Sequence, residues 1–258
     1  MTSAAIPSPG TPPIIGSVDG QIIYAIGDIH DCCELLRSLL TKIAQDVASR
    51  SDTAAPTLIF CGDYVDRGPD SARVLDALCW LKRYAPYDVR FLKGNHEAVM
   101  LDYARDPEQA RDWMRFGGVE TLQSYGVEPP CATADVLEHL RARDDLLERL
   151  PVAHLHFLEQ LDLMLTVGDY AFVHAGIVPG MPLAEQSEAD LLWIRDEFLG
   201  SPNRHEKIVV HGHTWTNSSP EHRANRIGID TGAYETGVLT CVKLGNGTVT
   251  FLSVSDAD

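Results

Sequence analysis

The chain has 258 residues, 45% of them hydrophobic, enough to bury a large core as one sizeable domain or two. Its formal net charge of −16 excludes a nucleic-acid binder that works through a basic surface. No apolar run approaches the roughly 18 residues of a membrane span, and the cysteines show no C-x-x-C spacing, so reduced thiols in a cytoplasmic protein are expected.

Residues 1–18, rich in Pro, Ser and Ala with no basic start, read as a flexible leader, and 19–258 as a single domain. Residues 21–26 (QIIYAI) read as a buried strand, and 32–48 as a helix, with Leu35, Leu36, Leu39, Leu40, Ile43 and Val47 at helical spacing. A second strand is expected at 57–61 and a second helix at 71–84, stopped before Pro86. Residues 89–92 (VRFL) read as a third strand, followed by a helix from about Glu97. The block at about 106–162 is mainly helical, broken at "FGGVETLQSYG", and reads as a cap segment on the same domain. Strand character returns at 170–174, 207–211, 226–230, 237–244 and 248–254, with "LGNG" turning the last two into a hairpin. Strand–helix alternation ahead of a strand-rich end predicts a layered α/β fold with at least partly mixed sheets.

The chemistry sits where these strands stop. "YAIGDIH", "LIFCGDYVDRGPDS" and "RFLKGNHE" each run apolar residues into a glycine and then into Asp, Asn or His. "YAFVH" and "IVVHGH" end on His174 and His213. One histidine at a strand end reads as packing, but five sites of one grammar read as a shared crevice, because residues past the strand ends of an α/β sheet converge. Asp28, His30, Asp63, Asn95, His174 and His213 offer carboxylate, amide oxygen and imidazole, a donor set that suits a first-row divalent cation better than Mg²⁺ or Ca²⁺. Six donors exceed one catalytic metal with open positions, and fit two cations about 3.5–4 Å apart sharing a carboxylate.

In order and spacing, "GDIH", "GDYVDRG", "GNHE", "VHAG" and "HGHT" resemble the metallophosphoesterases, specifically the phosphoprotein phosphatase branch. "DLLWIRDEFL" and "RIGIDTGAY" look most like its bacterial members, and the resemblance covers roughly 21–245. It implies a β-sandwich of mixed sheets flanked by helices. It further implies that Asp28, His30 and Asp63 hold one metal, and that Asp63 bridges to a second held by Asn95, His174 and His213. His96 would be the general acid with Asp66 as its partner, and Arg67 and Arg195 would grip the phosphate. The implied cofactors are two divalent ions, Mn²⁺ foremost, with Fe or Zn as alternatives, and a hydroxide bridging them is the implied nucleophile. The implied substrate is a phosphorylated protein or peptide, with phosphoserine or phosphothreonine ahead of phosphotyrosine; nucleic acid and membrane are not expected partners. The alternative is hydrolysis of dinucleoside polyphosphates such as diadenosine tetraphosphate. A catalytically dead phospho-binding scaffold is set aside because every position of the machinery is filled.

An amide at Asn95 suits an anionic substrate, since a third carboxylate would cancel the local positive charge. His211 is expected to pack, His139, His154 and His156 to be structural or at the surface, Trp193 to join the core, and Tyr234 to rim the site. One position departs from the family pattern. Gly usually follows the histidine of "GDIH", and here Asp31 does. It reads as the N-cap of the following helix, against a competing reading as a carboxylate at the site mouth that disfavours acidic substrates.

Overall fold

Strand and helix alternate first. The chain runs β1 (Ile23–Ile26), α1 (Cys33–Ser49), β2 (Thr57–Phe60), α2 (Ser71–Tyr84), β3 (Asp88–Phe91) and α3 (Asn95–Arg105). Three helices follow, α4 (Gly118–Ser124), α5 (Val136–Arg149) and α6 (Val152–Glu159), then β4 (Met164–Val167) and β5 (Tyr170–Val173). Short helices α7 (Glu188–Trp193) and α8 (Asp196–Leu199) lead to β6 (Ile208–His211), β7 (Glu221–His222) and β8 (Arg226–Gly228). The last elements are α9 (Ala233–Thr236), β9 (Val238–Gly245) and β10 (Thr248–Ser255). The structure is a computed structural model and describes residues 15–50, 55–131, 133–245 and 247–256.

The strands form two five-stranded mixed sheets, ordered β10-β9-β1-β2-β3 and β4-β5-β6-β8-β7. In the first, β1 pairs parallel with β2 and antiparallel with β9. In the second, β5, β6 and β8 run parallel, with antiparallel partners at both edges. The period of two in strand side chains builds the layers. Ile23 and Ala25 of β1, with Ile59 of β2, meet Tyr170 and Phe172 of β5 and Val210 of β6 in a core between the sheets. Tyr24 and Ile26, with Leu58 and Phe60, point the other way, against Leu35, Leu36, Leu39 and Ile43 of α1 and Val74, Leu75 and Leu78 of α2. On the far side, Ala171 and Val173 of β5 pack on Leu191 of α7 and Phe198 of α8. The result is a β-sandwich flanked by helices. Each of the buried Val, Leu, Ile and Phe side chains among these contributes about 1.5–3 kcal/mol by leaving water.

The helical segment between α3 and β4 shares the larger core: Ala142, Leu146 and Phe157 pack in the same cluster as Tyr64 and Leu75. Asp135 caps α5, its side chain accepting from the N–H groups of Leu137 and Glu138.

Differences from the sequence reading are local. Helix α3 begins at Asn95, two residues before Glu97, so Asn95 and His96 lie on its first turn. Strand β7 and helices α7–α9 are too short for their periodicity to register, and β4 is a partly buried strand that the sequence reading lacks. Of the leader, residues 1–14 lie outside the described residues, while 16–18 are docked. Gly16 N–H donates to the Tyr170 hydroxyl at 3.0 Å, Ser17 N–H to Asp169 Oδ2 at 2.7 Å, and Val18 is buried. All six cysteines are free, and Cys61 and Cys241 are buried. Among the described residues no helix is long and apolar enough to cross a membrane.

Candidate active site

Strands β1, β2, β5 and β6 end on one side of the sandwich, and the residues just past them meet the first turn of α3. Asp28, His30, Asp63, Asn95, His174 and His213 are all buried there. Asp63 is the centre. Its Oδ2 lies 3.4 Å from His30 Nε2 and its Oδ1 lies 3.4 Å from His174 Nε2. His174 Nε2 is also 2.8 Å from Asn95 Oδ1 and 3.2 Å from His213 Nδ1. Two sets of donor atoms, His30–Asp63–His96 and Asp63–His174–His213, are each compact enough to hold a cation, their atoms within 4.8 Å of one another, and Asp63 belongs to both. Asp28 stands behind them, Oδ2 accepting from His213 N–H at 2.9 Å, while its buried Oδ1 finds no hydrogen-bond partner among the described residues.

Main-chain carbonyls set the imidazoles. His30 Nδ1 lies 3.0 Å from Val65 O and His174 Nδ1 lies 2.9 Å from Cys61 O. A carbonyl only accepts, so each Nδ1 carries a proton; Nε2 of the neutral His174 is left with a lone pair, while Nε2 of His30 faces the Asp63 carboxylate. Burial, with His174 beside it, presses His213 down to about 2, and burial lowers His174 against the pull of Asp63, so both stay neutral donors. Burial raises Asp63 too, but His174, His96 and His30 outweigh it and hold this carboxylate well below its ordinary range. On His30 burial again opposes charge, and Asp63 overrides it, lifting the imidazole to about 9. Burial, then the carboxylates of Asp230 and Asp63, push Asp28 well up. Crowded acids and neutral imidazoles with free lone pairs are a charge arrangement that divalent cations relieve. The residues present fit a pair of such ions.

His96 is the exception within its donor set. Its Nδ1 is 2.6 Å from Asp66 Oδ2, which leaves Nε2 facing Asp63 at 3.9 Å. Asp66 is fully buried and held from the helical segment: Trp113 Nε1–H donates to Oδ2 at 2.8 Å and the Thr121 hydroxyl donates to Oδ1 at 2.5 Å. Arg67 extends over the Tyr234 ring, 5.4 Å from its centroid, and Arg195 donates to the Thr214 hydroxyl at 3.2 Å. A polar cavity of about 140 Å³ opens above this group, lined by His30, Asp63, Asn95, His96 and His213, with Arg67 and Arg195 and the side chains of Trp215, Asp230 and Tyr234.

The backbone is bent to reach this geometry. His30, Asp31, Asp63, Asp66, Arg67 and His213 all carry positive φ, a strain that concentrates where surroundings over-determine the chain. Gly94 packs so tightly on Asp63 that a side chain there would strike the Asp63 carboxylate.

Several site residues carry no motif-level signal in the sequence. Glu97 does, as the last letter of "GNHE": its buried carboxylate accepts from the N–H groups of Asp63, Tyr64 and Gly94 at 2.9, 2.7 and 2.8 Å. Burial and Asp63 push it up to about 7. Asp230 lies within "RIGIDTGAY" without being singled out there, while Trp215, Trp113 and Thr121 become visible only in three dimensions. Tyr234 does rim the site, 37% exposed and 5.2 Å from the His30 ring. Trp193 is corrected: it is 48% exposed, its ring 6.3 Å from that of His213, because α7 ends at the rim and not within the sandwich. His211 packs against Phe198 and accepts from Arg226, while His139 and His154 bond Tyr103 and Tyr125 in the helical segment.

Both readings of Asp31 are also corrected. The residue is buried, so it does not guard the mouth, and α1 is capped by Cys32 without a side-chain bond. The Asp31 carboxylate reaches α2 instead, accepting from Asp70 N–H at 3.1 Å and from the Ser71 hydroxyl at 2.5 Å.

A β-sandwich with buried aspartates, histidines and an asparagine gathered at its strand ends defines a metal-dependent phosphoesterase. The model of the calcineurin-like phosphoesterase family matches residues 22–236, and the chain belongs to that family. It is similar to serine/threonine-protein phosphatase 1 of Salmonella typhimurium, 29% identical over 86% of this chain and 91% of that protein. It is also similar to the symmetrical bis(5'-nucleosyl)-tetraphosphatase of Dechloromonas aromatica, 34% identical over 60% of this chain but only 44% of that protein. Among solved structures, a protein serine/threonine phosphatase from Saccharomyces cerevisiae shares the fold, with a TM-score of 0.59 at 15% identity over 93% of this chain and 81% of that one.

Proposed function

We propose that this chain is a serine/threonine protein phosphatase that cleaves phosphomonoesters with two divalent cations, Mn²⁺ ahead of Fe or Zn. Asp28, His30 and Asp63 would hold one ion, and Asp63, Asn95, His174 and His213 the other. Bound there, the pair would supply Lewis acidity toward the phosphoryl oxygens and a hydroxide nucleophile at neutral pH. Arg67 and Arg195 line the cavity and present planar forks suited to the phosphate oxygens. His96 delivers a proton from Nε2 to the leaving oxygen, and Asp66 fixes the ring by accepting from Nδ1 at 2.6 Å. That His96–Asp66 pair carries the reading. A serine alkoxide leaves only with a proton, whereas the nucleoside polyphosphate released from a dinucleotide leaves without one.

The test sets phosphoserine peptides beside diadenosine tetraphosphate with the Mn²⁺-loaded protein. A higher kcat/KM on the phosphopeptides is expected. The reverse order would replace this reading with dinucleoside polyphosphate hydrolysis.

A further inference from the structure

Asp31 stands where the family pattern carries glycine, and its buried carboxylate leads back to the reaction by way of α2. The Ser71 hydroxyl donates to Asp31 Oδ1 at 2.5 Å, and its lone pairs accept from the main-chain N–H of Asp66 at 3.1 Å. Thr121 Oγ1 shares that N–H at 3.1 Å and lies 2.8 Å from Ser71 Oγ. What these two hydroxyls grip is a strained segment: Asp66 has φ +73° and Arg67 φ +79°. Consecutive left-handed residues with side chains are unfavourable and hold only where neighbours fix them. Ser71 is fully buried and cannot borrow water for the purpose. Its orientation is therefore set by its protein partners.

We propose that Asp31 is a positioning residue for the His96 acid. Through Ser71 it anchors the left-handed turn at Asp66 and Arg67, and so fixes the Asp66 carboxylate against His96 Nδ1. Asp31 touches neither substrate nor the donor atoms around Asp63. The inference rests on the reading of His96 as proton donor, and it explains an aspartate that neither caps its own helix nor faces solvent.

The experiment compares kcat on a phosphoserine peptide with kcat on p-nitrophenyl phosphate, whose leaving group needs no proton. A merely structural loss lowers both alike. Asp31→Ala is expected to lower the ratio of the two by about tenfold, the kinetic equivalent of one buried hydrogen bond. Asp31→Asn keeps an acceptor oxygen and recovers most of that ratio. In an Asp66→Asn background, Asp31→Ala should bring no further drop, because its path to His96 is already cut. Equal losses on both substrates, no loss on either, or a full second drop in the Asp66→Asn background would overturn the inference. If Asp31→Ala does not fold, Ser71→Ala carries the same measurement with the same outcomes. His96→Asn separates the two levels. A ratio falling by about 10²–10⁴ upholds the acid, whereas equal losses there refute the acid and this inference with it.

Discussion

His211 illustrates how a single residue beside a metal nest is kept out of it. Its Nδ1 lies 3.0 Å from Gly212 O and its Nε2 3.2 Å from Arg226 Nη1, so the ring is a neutral bridge, donating to the carbonyl and accepting from the guanidinium. Burial and the positive charge of Arg226 press it down to about 4. The folded value lies below the unfolded one, so the unfolded chain binds the extra proton first. Stability is lost as pH falls from about 6.5 toward 4, by roughly 2–3 kcal/mol from this group. His211→Gln keeps a donor and an acceptor without the titration. Urea unfolding across that window should show a shallower loss in the variant, and identical slopes would mean that His211 charges freely in the fold. "HGH" alone does not say which histidine reaches the crevice; the turn that sends His213 to φ +66° places it there beside Asp63 and His174.

At the scale of elements, α4 carries a demand that the sequence shows only as a helix break. Gly117 sits at φ +112° before α4, and a Cβ there would lie 2.5 Å from Arg67 N and 2.7 Å from Asp66 Cβ. Gly117→Ala therefore combines a disfavoured backbone with a collision against the segment that carries Asp66. A stability loss of about 1–3 kcal/mol is expected, together with a fall in kcat. Thermal unfolding and turnover of the same preparation check both, and an unchanged kcat would mean the clash relaxes away from Asp66. Helix α5 tests whether the helical segment is part of one domain. Leu146 is fully buried in the core shared with Tyr64, so Leu146→Ala should cost about 2–5 kcal/mol and shift a single transition. Two separable transitions would instead make the segment an independent unit.

For the whole molecule, the acidic charge and the anionic substrate are reconciled by range. The formal net charge of −16 includes buried carboxylates such as Asp28, Asp63 and Glu97, and the charge of exposed groups is screened within about 8 Å at physiological salt, while Arg67 and Arg195 line the cavity itself. Bound cations should also stabilise the fold, because the donor set is assembled only when β1, β2, β5 and β6 are in register. Stripping metal is expected to abolish turnover and lower Tm, and Mn²⁺ should restore both better than Mg²⁺, since three of the six proposed donors are imidazoles. Full turnover by protein shown metal-free by elemental analysis would refute the dinuclear reading.

The sequence by itself determined the sandwich strands and singled out the six residues proposed as donors, all of which the fold buries at the strand ends. Four-residue apolar runs such as "TLIF" and "YAFV" are largely buried, and a polar break after each run, Gly62–Asp63 in one case and His174 in the other, marks where the chain leaves the sheet for the crevice. These are short-range signals: the run and the break are both read within a few residues. Only the tertiary structure decided what holds Asp66 against His96. Trp113 and Thr121 lie 47 and 55 residues from Asp66, and Asp31 is 40 residues from Ser71. Hydrogen bonds across such separations leave no local pattern, because they depend on how α2, α4 and the site turn pack and not on what neighbours what in the chain.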